Sequence, residues 1–145
     1  MARMMDDIQA MLRGESPPAP VSQLIGFTMV RVEEGLAVVT LEVQRRHANP
    51  MGTLHGGILC DIADAAMGIA YASTLAEGES FTTLDLQIRY LRPFWEGKLV
   101  ATGKASHRGK TVGMLECDVV DDRGRVIAKS TSTCLTLRGD QARGR

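Results

Sequence analysis

The longest apolar segment of the chain lies between residues 58 and 72, where hydrophobic residues fill almost every position. It follows His55-Gly56-Gly57, and its charged residues are Asp61 and Asp64. A helix that is apolar nearly all round is a buried helix, and a carboxylate in it is costly unless it is hydrogen-bonded or functional. Asp61 lies in the predicted first turn, where a negative charge offsets the helix dipole. Asp64 lies one turn deeper, so we expect it to have a function.

Outside this segment the hydrophobic pattern has a period of two, which is typical of strands. Residues 27–43 predict a β-hairpin that turns at Glu34-Gly35. An antiparallel meander of about four strands is predicted at residues 80–92, 98–107, 111–120 and 125–137. In the first of these, Leu86 and Ile88 are predicted on one face and Thr83 on the other. A helix on one face of an antiparallel sheet is an α+β fold, and a sheet that curls around the helix is one way to cover it.

The two ends of the chain differ from the domain between them. Residues 1–20 are an N-terminal arm, with a short amphipathic helix predicted at 2–12 and a proline-rich stop after it. The sequence leaves open whether this arm packs on its own domain or on a partner subunit. Residues 21–137 form the folded domain. Residues 138–145 lack an apolar anchor, and we expect them to be disordered.

Composition excludes several classes of function. The 17 basic and 17 acidic side chains give no net charge, so we expect neither nucleic acid nor membrane as a partner. No apolar run is long and uncharged enough to span a membrane, and the first residues lack the hydrophobic region of a signal peptide. We therefore expect a cytoplasmic protein. The three cysteines form no CxxC pair, which is typical of reduced thiols and not of a zinc site or disulfide frame.

Asn49, Gly52, His55-Gly56-Gly57 and Asp64 form the pattern N-x2-G-x2-H-G-G-x6-D. This pattern resembles that of the hotdog-fold thioesterases, in particular the branch that contains PaaI and the mammalian thioesterase superfamily member 2. The resemblance covers about residues 21–137 in element order, and the stretch from Thr82 resembles the family's central strand. It implies a hotdog fold, in which an antiparallel sheet of five to six strands wraps around one long central helix. It also implies homodimers or homotetramers that hydrolyse acyl-CoA thioesters without a metal or organic cofactor.

The resemblance also assigns roles by position. Asp64 corresponds to the catalytic carboxylate, and the Gly57 backbone N–H corresponds to the group that polarises the thioester carbonyl. Asn49 and His55 correspond to the residues that lie at the attack site and hold the Gly57 loop. A hydroxyl early in the strand after the helix corresponds to Thr83 or, if the alignment gap falls one residue away, to the preceding threonine.

The chemistry of thioester hydrolysis explains why these residue types are needed. A carboxylate either attacks the carbonyl directly or activates water as a general base, and the sequence does not decide between them. Backbone N–H groups at a helix start suit an oxyanion, and glycine at positions 56 and 57 lets a carbonyl approach the backbone. If Gly57 and Asp64 share one helix, they are separated by roughly 10.5 Å. This is too far for both groups of one chain to act on one carbonyl, so we predict a site shared across a dimer interface.

Coenzyme A carries phosphates, so basic side chains are expected near the site. Arg92 ends the predicted strand at 80–92, and Arg108 and Lys110 lie at the turn between the predicted strands at 98–107 and 111–120. A solvated turn is the simpler explanation for the last two. Gly56 and Thr82 are further candidates for contact with the substrate.

The same residues allow other interpretations. Asp64 is a structural carboxylate in the simplest alternative, since perturbed carboxylates are often structural. His55, Asp61 and Asp64 lack the compact spacing of metal ligands, so we expect no metal. A hotdog hydratase carries its aspartate before its histidine, which is the reverse of the order here. A non-catalytic acyl-CoA-binding hotdog module has no need of Asp64 and is the main competing function. The acyl group is not specified by the sequence.

Overall fold

The computed structural model describes residues 3–145, which include three α-helices and six β-strands. Ala2, the first residue of the helix predicted at 2–12, lies outside the described residues. The helices are α1 (Met4–Leu12), α2 (Pro20–Ile25) and α3 (Gly56–Ala72), and the strands are β1 (Phe27–Glu33), β2 (Leu36–Val43), β3 (Ser80–Tyr90), β4 (Gly97–Arg108), β5 (Val112–Asp121) and β6 (Val126–Leu137). Short 3-10 helices occupy Arg45–His47 and Gly139–Ala142. Within residues 3–145, no helix is long and apolar enough to cross a membrane.

The six strands form one antiparallel sheet in the order β1-β2-β4-β5-β6-β3. The α+β hotdog architecture and the β1-β2 hairpin are therefore confirmed. The predicted four-strand meander is wrong for β3, which pairs with β6 at one edge, while β4 pairs with β2 in the interior. The connection after β3 carries the chain from the edge to the middle of the sheet. The β3 strand is thus an edge strand of this chain and not a central one, because alternation predicts a strand but not its neighbours.

The sheet curves around α3, which packs mainly on β2 and β4. Ile62, Ala66, Met67 and Tyr71 on this side of the helix are completely buried. The contact is closest at Gly103 of β4, where a Cβ atom would lie 2.4 Å from the Ala66 carbonyl group. The absence of a side chain at this position therefore sets how closely the helix lies on the sheet.

A bulge in β3 changes the face to which its first residues point. The pairing with β6 shifts register between Thr83 and Asp85, so Leu84 is an extra residue. An extra residue inverts the alternation of side chains. Thr83 therefore faces α3 on the same side as Leu86 and Ile88, and the prediction that placed it on the opposite face is wrong.

Both ends of the chain contact the domain. Ile8 of α1 is buried in the core, so the arm packs on its own domain, a choice that the sequence left open. Residues 138–145, which were expected to be disordered, contain the short 3-10 helix. Arg138 before this helix forms an ion pair with Glu79 at 2.7 Å. No apolar residue anchors residues 138–145, so the ion pair is the interaction that attaches this segment to the domain.

Candidate active site

The start of α3 is capped by the histidine that precedes it. His55 has extended backbone geometry, and its Nδ1 accepts a hydrogen bond of 3.0 Å from the Gly57 N–H. Its own N–H donates to the His47 carbonyl at 2.9 Å. The buried His47 ring in turn contacts the Ile25 carbonyl through Nε2 at 2.7 Å. His55 thus holds the glycine turn in place. The Gly57 N–H that it binds is the group that the resemblance assigns to the thioester carbonyl.

The Asn49 side chain organises the turn that leads to His55. Its Oδ1 accepts hydrogen bonds from the Met51 N–H at 2.9 Å and the Thr53 N–H at 3.2 Å. Its Nδ2 donates to the Thr53 hydroxyl at 2.7 Å. Gly52, with φ of +90°, adopts the left-handed conformation that this turn requires. In the single chain, the amide of Asn49 is therefore used to shape the loop.

The side of α3 away from β2 and β4, next to the edge strand β3, carries an open stripe, which we define as Gly57, Asp61, Asp64 and Gly68. These residues are spaced by three, four or seven positions and lie on one helix face. None is buried, and Asp64 is exposed. The expectation that Asp64 lies in a buried helix position is therefore wrong for the single chain. Asp61 also lies beyond the first turn of α3, which contains no acidic residue.

The surroundings of Asp64 favour its protonated form. Desolvation raises the pKa of Asp64, and the neighbouring Asp61 carboxylate raises it further by like-charge repulsion. A hydrogen bond donated by the Thr83 hydroxyl opposes these effects and lowers this pKa in part. Asp61, Asp64 and Thr83 line one shallow depression, and Asp85 of β3 lines it as well. The net result is a carboxyl group with a raised pKa at an accessible position, and a raised pKa makes a carboxylate a stronger general base.

The structure distinguishes between the two threonine candidates. Thr83 faces α3, where its hydroxyl reaches Asp64 and lies 3.8 Å from the Cys134 sulfur. Thr82 is the adjacent residue in β3 and points to the opposite face. Asp64 and Thr83 are thus brought together, whereas Thr82 is not part of this cluster.

Tyr90, the last residue of β3, links this strand to the start of α3. Its hydroxyl donates to the Gly56 carbonyl at 3.1 Å and lies 3.5 Å from the Cys60 sulfur. The contact with Cys60, together with desolvation, raises the pKa of Tyr90 to about 12. Tyr90 is half exposed and lines one depression with Asn49, Gly56 and Arg92. The alternation in β3 gave no signal for this contact because it depends on where the strand ends.

The basic candidates separate into two groups. Arg92 lies beside the start of α3, in the depression that contains Asn49 and Gly56. Arg108 lies near the other end of this 17-residue helix, which is roughly 25 Å long. It donates to the Thr74 hydroxyl at 2.8 Å and stacks 4.8 Å above the Tyr71 ring. Lys110, two residues later, is exposed. One chain therefore brings Arg92, but not Arg108 or Lys110, to the helix start.

The arrangement of His, Cys, Asp and Glu side chains decides whether a chain can hold a metal ion. In the part of the chain from residue 3 onward, no three His, Cys, Asp or Glu side chains are grouped closely enough to hold a metal ion.

Comparisons with known proteins identify related chains. The family model described as "Thioesterase superfamily" matches residues 51–128. The 1,4-dihydroxy-2-naphthoyl-CoA hydrolase of Listeria monocytogenes is 32% identical over 113 residues, which cover 78% of this chain and 92% of that protein. The acyl-coenzyme A thioesterase PaaI of Escherichia coli is 33% identical over 109 residues, covering 74% of this chain and 75% of that protein. The solved structure of this Escherichia coli PaaI protein has a TM-score of 0.82 and 26% identity, covering 94% and 95% of the two chains.

Proposed function

Because the chain belongs to the thioesterase superfamily, we propose that it hydrolyses acyl-CoA thioesters with Asp64 as the catalytic carboxylate. The observation that carries this proposal is the placement of Asp64 on the open stripe of α3, in line with Gly57 and next to the Thr83 hydroxyl. A non-catalytic acyl-CoA-binding module would not need an accessible carboxylate with a raised pKa at this point.

The proposed reaction needs few groups. Asp64 takes a proton from water while the water oxygen bonds to the thioester carbon. The resulting oxyanion accepts a hydrogen bond from the Gly57 N–H, as at other helix starts that stabilise anions. The carbon–sulfur bond then breaks, and the thiolate of coenzyme A receives the proton from Asp64. Direct attack by the Asp64 carboxylate, followed by hydrolysis of the anhydride, uses the same groups.

His55 has a defined part in this scheme. Its Nδ1 holds the Gly57 N–H in the ligand-free chain, so the substrate carbonyl must take over this hydrogen bond or share it. We propose that His55 keeps the turn in shape until the substrate arrives. Asn49 supports the same loop through its turn hydrogen bonds and lies close enough to the helix start to contact the substrate.

We also propose that each site is shared by two subunits of a homodimer, which pairs further into a tetramer. In one continuous helix, Gly57 and Asp64 are roughly 10.5 Å apart, which is too far for both to contact one carbonyl group. The 11-residue strand β3 lies at the edge of the sheet, and its residues Leu84 and Tyr90 are exposed. Long apolar edge strands commonly pair with another chain. A second copy beside β3 would bring its own α3 towards Asp64.

The relatives support a CoA ester as the substrate. One is named for a naphthoyl-CoA ester and the other for acyl-coenzyme A. We therefore propose an aryl-acetyl, aromatic, or short- to medium-chain acyl group. No residue of the site that we describe selects among them.

The test is a thiol-release assay with a panel of these CoA esters. Asp64→Asn keeps the side-chain volume and removes the charge, so we expect a loss of about 10²-fold or more in kcat. Asp118→Asn, at an exposed position of β5 that pairs with Lys129, is the matched control and should keep wild-type activity. If the wild type hydrolyses no ester but binds CoA, the binding-module alternative replaces this proposal. If Asp64→Asn is as active as wild type, Asp64 is not the catalytic carboxylate.

Mixed dimers test the shared site. Asp64→Asn and His55→Ala chains are each expected to be weakly active alone. After the two are unfolded together and refolded, half of the dimers contain one chain of each kind and have one intact site. The mixture should therefore recover about a quarter of the wild-type activity, as a two-fold symmetric interface requires. Recovery is not possible if both residues of a site come from one chain.

A further inference from the structure

Three shallow depressions meet around the loop at residues 91–96. The first contains Asn49, Gly56 and Arg92 at the start of α3. The second contains Asn49 again, together with Arg45 and Trp95. The third lies between Arg92 and Trp95 on the other side of the loop. Because neighbouring depressions share these residues, one continuous surface leads from the candidate active site to Trp95.

Trp95 is the one tryptophan of the sequence, and its side chain is 59% exposed. The loop that carries it is firmly held. Phe94 is buried beneath it, and its carbonyl accepts a hydrogen bond of 2.7 Å from the Leu54 N–H. The Leu91 N–H donates to the Ile127 carbonyl at 2.9 Å. An exposed apolar side chain needs no explanation by itself, but here a rigid backbone presents a flat aromatic ring next to a site.

The arginines around Trp95 differ from others in the chain. The Arg46 guanidinium donates to the Leu24 and Ile25 carbonyls, and that of Arg125 pairs with Asp121. Among the described residues, the exposed side chains of Arg45 and Arg92 form no ion pair. Arginine is well suited to bind phosphate groups through several hydrogen bonds. Two arginines without an ion-pair partner among the described residues therefore line the depressions that Trp95 also lines.

We infer that Trp95 stacks on the adenine ring of coenzyme A, with Arg45 and Arg92 binding its phosphates. This inference rests on the proposed function and extends it to the nucleotide end of the substrate. Stacking on an aromatic side chain suits any base. Glu96 lines the same two depressions as Arg45 and Arg92, and its carboxylate can accept a hydrogen bond from the amino group of adenine. The base therefore lies against the Trp95 ring, and the phosphates lie against the two arginines.

The fluorescence of Trp95 gives a test that does not depend on catalysis. Because the sequence has one tryptophan, stacking of adenine should quench the intrinsic emission directly. We expect saturable quenching by free CoA and by 3′,5′-adenosine diphosphate, but not by pantetheine, which lacks the nucleotide. Double substitution of Arg45 and Arg92 by Gln should weaken this binding and its dependence on salt. Equal responses to CoA and pantetheine, or no response to either nucleotide, would overturn the inference.

Kinetics with two thioesters separates this role from a structural one. For the acyl-CoA ester, Trp95→Ala should raise KM about tenfold with little change in kcat, since one stacked base contributes ~1–3 kcal/mol. For the N-acetylcysteamine ester of the same acid, which has no nucleotide, the variant should match the wild type. Trp95→Phe keeps a stacking face and should restore most of the affinity. An equal loss with both esters, or with neither, contradicts the assignment. Failure of the wild type to hydrolyse either ester contradicts the proposed function, and the fluorescence titration still tests the nucleotide site.

Discussion

The two sides of α3 have the same backbone but opposite surroundings. On the covered side, Ile62, Ala66 and Met67 are completely buried, and Gly103 of the sheet lies directly against the helix backbone. On the open stripe, Asp64 is exposed, and the glycine at position 68 has only the Phe81 ring near it. The covered side fixes where the helix lies, whereas the open stripe carries the carboxylates and backbone groups that can take part in a reaction.

This difference explains how an acidic residue is tolerated in an apolar helix. A carboxylate on the covered side would be buried without a partner, which is costly. On the open stripe, Asp64 keeps access to solvent, and its surroundings still raise its pKa. The helix therefore combines a rigid attachment to the sheet with a reactive face, an arrangement that holds catalytic groups in place.

The largest effect is expected on the covered side, from Gly103→Ala. The new Cβ would lie 2.4 Å from the Ala66 carbonyl oxygen and 2.6 Å from the Met67 nitrogen. Since these are backbone atoms, the helix must shift, and we expect the free energy of unfolding to fall by about 2–3 kcal/mol. Denaturant titration monitored by circular dichroism measures this change.

Gly68→Ala on the open stripe is the matched control for this substitution. Its Cβ would lie 3.5 Å from the Phe81 ring, an ordinary contact. Alanine is the better helix former, so the free energy of unfolding should rise by about 0.5–1 kcal/mol. Equal destabilisation by the two alanines would show that the two sides of α3 do not differ as described.

A smaller effect is expected from Asp61→Asn, which leaves Asp64 in place and removes its charged neighbour. The Asp61 carboxylate contributes to the raised pKa of Asp64, so this pKa should fall in the variant. A general base works only when deprotonated, so activity should persist to lower pH. The pH profile of kcat/KM, which reports groups of the free enzyme, should show its acidic limb at lower pH with an unchanged plateau. An unmoved limb would mean that Asp64 does not control it.

Much of the fold followed from the sequence because hydrophobic periodicity is a local signal. The positions of α3 and of all six strands were predictable from residues close in the chain. The place of β3 at the sheet edge was not, since strand order depends on long-range pairing. The bulge at Leu84 was also missed, because nothing in the alternation of residues 80–92 marks an extra residue.

The candidate site shows the same division. The pattern from Asn49 to Asp64 identified the residues that meet at the helix start and on the open stripe. Their environments were not predictable. Solvent exposure of Asp64 depends on which side of α3 the sheet covers, and the contact of Tyr90 with Gly56 depends on where β3 ends. Trp95 had no periodic neighbours to mark it, although a lone tryptophan between Phe94 and Glu96, near Arg92, is a signal that could have been used.

The most selective test of the open stripe is Thr83→Val, which removes the hydroxyl that reaches Asp64 and the Cys134 sulfur. The Thr83 hydroxyl stabilises the charged form of Asp64 and lowers its pKa, so its removal should raise this pKa further. The acidic limb of the kcat/KM profile should then move to higher pH, opposite to the shift in Asp61→Asn. Thr83→Ser restores a hydroxyl and should return the limb towards its wild-type position. If Asp64 were only structural, neither substitution would move the limb, so opposite shifts from two neighbours would identify Asp64 as the group whose ionisation governs the reaction.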